Sequence, residues 1–248
     1  MKLPRLIRAQ QKFSVDFGDT PPGNSFYSAF YSQDQNHQPV SELFFAKLIK
    51  SVSQARTMQR KKYVSESLKD KHFNIYPGEH YKLLSALVEN FSVRQSFEIG
   101  SFRGLGSLAL LGEDTKSRSV ITNDLVPFQE FESVIPEKMF QDDQITQLIG
   151  NLLDDQFFLD TQEFIKTSDL IFLDGPKDGL FEYQILNRLS SLQFPTTQLL
   201  IIDDINFANM ISLWRSIASP KIDLTSFGHW SGTGIVEIRG KLELHAVK

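Results

Sequence analysis

Five short apolar runs punctuate the chain: SFEIG (96–100), SVITND (119–124), ITQLIG (145–150), DLIFLD (169–174) and LLIIDD (199–204). Each is rich in β-branched or aromatic residues and stops at Gly, Asp or Asn before a stretch of helical spacing. Strand-length runs alternating with amphipathic stretches predict βαβ units and a parallel sheet. Two more runs, IDLTSF (222–227) and GIVEI (234–238), have only the Gly-rich segment 229–234 between them. A connection that short cannot cross a sheet, so these two are expected to form an antiparallel hairpin at the sheet edge.

The rest of the chain does not follow this rhythm. With 248 residues and 41% hydrophobic content it can bury one large core, or one core plus an appendage. Residues 20–40 are rich in Pro, Gly, Ser, Asn and Gln, with Phe26, Tyr27, Phe30 and Tyr31 interleaved. That reads as a loop that orders over a ligand, a lid. Helices are expected at 43–55 and, after Pro77, at 78–91. The division that follows is an N-terminal extension for lid or substrate recognition (1–76) and a ligand-binding domain (77–248). A net charge of −4 argues against nucleic-acid or membrane partners. The basic cluster Arg56, Arg60, Lys61, Lys62, Lys69 and Lys71 reads as a solvated helix face or a docking site for an acidic molecule. With no cysteine, any metal must sit on oxygen or imidazole ligands. No segment has the apolar length of a signal peptide or a bilayer span, so a cytoplasmic location is expected.

In an open parallel sheet, ligands bind at the carboxyl ends of the strands, so the residues there carry the chemistry. The first run leads into Glu98-Ile-Gly100-Ser101-Phe-Arg-Gly104-Leu-Gly. Its glycines allow a tight turn and close backbone approach, but the spacing is not that of a dinucleotide-binding turn. An acid beside the turn suits a cationic ligand better than a pyrophosphate. Asp124 ends the second run where nucleotide-binding folds place a ribose-binding carboxylate, although a helix-capping acid would also stand there. Asn151 follows the third, as a ligand contact or as a cap. Asp174, Asp203 and Asp204 end the fourth and fifth. If they converge, their repulsion calls for a hard divalent cation; otherwise they close turns and cap helices. His229 and Trp230 sit in the final turn, near the same face.

Glu98 to Gly104 resembles motif I of class I S-adenosylmethionine (SAM)-dependent methyltransferases, and the likeness extends over roughly 77–238. It implies a Rossmann-like, seven-stranded, mostly parallel α/β sheet with an antiparallel C-terminal hairpin, preceded here by a helical and loop extension. It further implies that Gly100, Ser101 and Gly104 line the methionine part of SAM, that Asp124 binds the ribose hydroxyls, and that Asn151 contacts adenine. The fourth and fifth strand ends resemble those of catechol O-methyltransferase-like enzymes, which are metal-dependent. On that likeness Asp174, which also faces SAM, joins Asp203 and Asp204 in holding Mg²⁺ (or Mn²⁺ or Ca²⁺). Lys177 is then the general base, with His229 as a further catalytic candidate. Asp204 is a departure, because those enzymes have Asn there. The expected activity is O-methylation of a small-molecule acceptor bearing a hydroxyl beside a second oxygen, with a homodimer as the expected assembly. A metal-independent methyltransferase and a non-catalytic SAM-binding module of the same fold remain the alternatives.

Overall fold

The computed structural model describes residues 39–58 and 72–245, apart from 114, 115, 132, 134 and 136. The expected lid up to residue 38 and the basic cluster from Arg60 to Lys71 lie outside the described residues. The five apolar runs form β1 (Gln95–Ile99), β2 (Ser119–Asp124), β3 (Ile145–Ile149), β4 (Leu170–Leu173) and β5 (Thr197–Asp203). These strands are mutually parallel, and β6 (Lys221–Asp223) and β7 (Thr233–Arg239) complete a sheet of order β3-β2-β1-β4-β5-β7-β6. Six strands run one way. Only β7 opposes them, pairing antiparallel with both β5 and β6. This is the expected Rossmann-like sheet with its antiparallel hairpin. The sixth run is shorter than the sequence suggests, because Thr225–Phe227 coil into a 3₁₀ turn, with Asp223 Oδ1 accepting the Thr225 N–H at 2.8 Å.

Alternate residues of each central strand feed opposite faces of the sheet, as the two-residue period of a strand requires. Leu170, Phe172, Leu199 and Ile201 pack on one side with α1 (Glu42–Thr57), α2 (Tyr81–Asn90) and α3 (Leu105–Leu111). Ile171, Leu173, Leu200 and Ile202 pack on the other. There they meet α5 (Asp155–Thr167), α6 (Leu180–Ser191) and α7 (Met210–Ser216); the short α4 (Glu137–Gln141) precedes β3. Covered on both faces, the strands read as continuous apolar runs.

Two sequence expectations shift. The second helix begins at Tyr81 rather than 78, because Gly78 is engaged elsewhere: its N–H donates to Gly228 O (3.0 Å) and its carbonyl accepts from Trp230 N–H (3.2 Å). The helix α7 begins at Met210, after a bend in which Asn206 N–H is taken by Ser231 O. Meanwhile α1, assigned to the extension, is built into the core. Phe44, Leu48 and Ala55 are buried in the cluster with Leu83 and Leu87, and Ser41 Oγ donates to Glu237 Oε1 on β7 at 2.7 Å. No helix among the described residues is long and apolar enough to cross a membrane.

Candidate active site

The strand order reverses at β1, between β2 and β4, which opens a crevice at the carboxyl ends. A cavity of about 700 Å³ lies there, walled among others by Glu98, Gly100, Ser101, Asp124, Asn151 and Asp174. Its size is that of a small-molecule site.

The glycine turn follows from close approach. A Cβ on Gly100, where φ is +101°, would lie 1.9 Å from the carbonyl oxygen of Asp174. Only glycine lets the β1 and β4 exits touch. Gly104 begins α3 with φ +89° and does not itself line the cavity. Asp124 braces the turn: Oδ2 accepts the N–H groups of Ser101 and Phe102, both at 2.9 Å, and Oδ1 accepts those of Leu125 (2.7 Å) and Val126 (3.3 Å). A ribose would have to share these oxygens. Ser101 also bonds Thr122 through its hydroxyl at 2.6 Å. Asn151 Oδ1 accepts Leu153 N–H at 2.9 Å, whereas the capping acid of α5 is Asp154. Glu98 is 1% exposed, and Ser107 Oγ donates to it. Burial pushes its carboxyl up to about 8, against the hydrogen bonds from Ser107 and Thr122.

The three strand-end acids do converge, and Lys177 occupies the point they share. Its Nζ lies 2.5 Å from Asp174 Oδ1, 3.5 Å from Asp203 Oδ2 and 3.3 Å from Asp204 Oδ2. Burial works against this ammonium, but the surrounding carboxylates outweigh it and hold Lys177 protonated well above its ordinary range. Lys177, expected as the general base, is thus clasped by three carboxylates that favour its protonated form. Lys177 and Asp204 both have left-handed backbones, φ +63° and +59°, the kind of uncommon conformation that clusters at working sites. Burial and the neighbouring Asp203 charge raise Asp174 to about 6.

Sequence reasoning missed two contributors. Glu182, wholly buried, accepts the N–H groups of Lys177 (2.7 Å) and Gly179 (3.0 Å) and so shapes the β4–α6 loop. Its signal was the acid three residues into the helix. His80, 2% exposed, places Nδ1 3.0 Å from Asp203 Oδ1. It precedes β1 and ends no strand, so nothing in the pattern marked it. His229 places Nδ1 3.0 Å from that same oxygen and 3.1 Å from Asp204 Oδ1. Burial lowers the basicity of the His229 imidazole, but the two aspartates raise it further, to about 10. Asp203, buried yet faced by both histidines, stays ionised far below the usual carboxylate range. Trp230, 70% exposed, stands beside His229 with ring centroids 5.6 Å apart.

No protein family model matches the chain, and no curated protein matches it in sequence. Solved structures similar to it include an O-methyltransferase from Bacillus cereus in complex with SAH (15% identity, 79% of this chain and 91% of that one, TM-score 0.45). Another is the SAH-bound Podospora anserina methyltransferase PaMTH1 (16% identity, 96% and 99%, TM-score 0.41). A third is a methyltransferase from Geobacter sulfurreducens (14% identity, 81% and 92%, TM-score 0.41).

Proposed function

We propose that the chain is a SAM-dependent O-methyltransferase acting on a small-molecule hydroxyl. The observation that carries this reading is the joining, in one cavity at the strand-order switch, of the Glu98–Asp124 end with the Asp174–Lys177 end. The first end offers what a nucleoside needs: a glycine turn, the buried Glu98 carboxyl beside it, and Asp124 and Asn151 lining the same cavity. SAM, when bound, supplies a sulfonium methyl group whose C–S bond breaks as the bond to the acceptor oxygen forms. Asp174, with its carboxyl near 6, accepts the hydroxyl proton, since a base is most effective when its pKa lies near the working pH. Lys177 remains an ammonium and stabilises the developing oxyanion. Trp230, exposed beside the cavity-lining His229, gives an apolar acceptor a surface.

The Mg²⁺ (or Mn²⁺ or Ca²⁺) expected on Asp174, Asp203 and Asp204 does not fit these residues. Lys177 Nζ, 2.5–3.5 Å from all three carboxylates, stands where that ion would. Methyl transfer without a hard cation is the better account of this corner.

Calorimetric titration tests the cofactor. SAM and SAH should bind, and Asp124→Asn should weaken both by about 10- to 150-fold, the worth of charge-assisted hydrogen bonds. Transfer from methyl-labelled SAM to a panel of small hydroxylated acceptors should then fall steeply in Asp174→Asn. Tight NAD binding with no response to SAM would overturn the reading.

A further inference from the structure

Asp203 has two faces. Oδ2 looks toward Lys177, at 3.5 Å, while Oδ1 is met by two imidazole nitrogens, His80 Nδ1 and His229 Nδ1, each at 3.0 Å. We propose that His80, His229 and Asp203 Oδ1 form a site for a divalent first-row transition metal, such as Zn²⁺, Fe²⁺ or Mn²⁺, distinct from the three-acid corner held by Lys177. The separations fit. Ligand atoms about 2.0–2.2 Å from one ion lie about 3.0–3.5 Å apart when adjacent in octahedral or tetrahedral geometry, and the three donors here all fall within 4.8 Å of one another.

His80 supplies the independent observation. It is 2% exposed, yet neither ring nitrogen has a hydrogen-bond partner, because its approach to Asp203 lacks hydrogen-bond geometry. A buried imidazole with neither nitrogen engaged is costly, and a metal at Nδ1 would engage one of the two. The outer partner is present as well: with Nδ1 turned inward, His229 Nε2 faces Glu79 Oε2 at 3.7 Å, and ligating histidines commonly present their second nitrogen to a carboxylate.

Charge favours the same conclusion. Asp174, Asp203 and Asp204 surround the Lys177 ammonium and Glu79 faces His229, so a metal ion that replaces the imidazole protons is welcome on the histidine side while the Lys177 contacts stay intact. Two imidazoles and one carboxylate select a transition ion over Mg²⁺ or Ca²⁺, which prefer all-oxygen sets. Three protein ligands leave open positions, and His80, Asp203 and His229 all line the cavity. On the methyltransferase reading, those positions would take an acceptor oxygen.

The test is metal binding by the apo full-length protein, without SAM or acceptor, so that it can fail or succeed independently of the proposed activity. Co²⁺ should bind at one equivalent with the visible bands of a nitrogen-ligated ion, and Zn²⁺ should displace it while Mg²⁺ does not. His229→Ala, on the hairpin turn, should weaken binding by more than the 10- to 100-fold expected for loss of an outer partner, and Glu79→Gln by about that 10- to 100-fold. His80→Gln should match His229→Ala, while Asp174→Asn, which removes a nearby charge but no ligand, should weaken binding by less than about 10-fold. Absence of Co²⁺ binding, binding indifferent to both histidines, or binding lost in Asp174→Asn would each overturn the proposal.

Discussion

A carboxyl group sealed beneath a glycine turn keeps its proton where a solvated one would release it, and Glu98 is such a group, with its pKa up from 4.5 to about 8. Below pH 4.5 both the folded and the unfolded chain hold the proton. Between 4.5 and about 8 only the fold retains it, so stability falls as pH rises through this window, and the loss is complete above it. Glu98→Gln keeps the shape without the ionisation. Its unfolding free energy should decline less from pH 5 to 8 than that of the parent protein, with a difference on the order of a few kcal/mol at the upper end. Parallel pH profiles of the two proteins would fail this expectation. Gly100 gives a second case at this scale. Gly100→Ala forces a Cβ against the Asp174 carbonyl at a left-handed φ, and it should cost about 1–3 kcal/mol in backbone strain alone, before any overlap is relieved. Chemical denaturation would register it.

Among the elements, the β4–α6 connection depends most on one side chain. Glu182, itself buried, accepts two backbone N–H groups of the loop, so Glu182→Ala should destabilise the fold by about 2–3 kcal/mol in urea titrations and disorder the loop bearing Lys177. A loss below about 0.5 kcal/mol, as for a surface change, would contradict the assigned role. The strands themselves, except for the end of the sixth, were legible to within a residue or two, since an apolar run that ends at a polar turn has few other ways to fold. The strand-end acids were legible for the same reason: β1, β2, β4 and β5 deliver their last residues to one crevice. What escaped was whatever depends on a partner distant in the chain. His80 meets Asp203 across more than a hundred residues, and the charge state of Lys177 is set by three acids from two strands. The start of α2 likewise moved because Gly78 bonds to the C-terminal turn.

For the molecule as a whole, the core extends further toward the N-terminus than composition suggested. Leu48, 1% exposed on α1, packs into the same cluster as Val120 and Leu170. Leu48→Ala should therefore cost about 2–5 kcal/mol, with one cooperative transition preserved. An early separate melting step would mark α1 as a detachable appendage. The order of the last strands has its own effect on how the chain is made. Among the described residues β6 pairs only with β7, and β7 must enter between it and β5. As the polypeptide emerges from its N-terminus, β6 arrives before its sole neighbour. Until residues 233–239 follow, the apolar flank of β5, Leu199 to Ile202, stands as an open edge able to recruit the same edge of another nascent copy. The final strand is thus also a stopper against self-association, and chains cut short of it should gather into aggregates rather than persist as partly folded monomers.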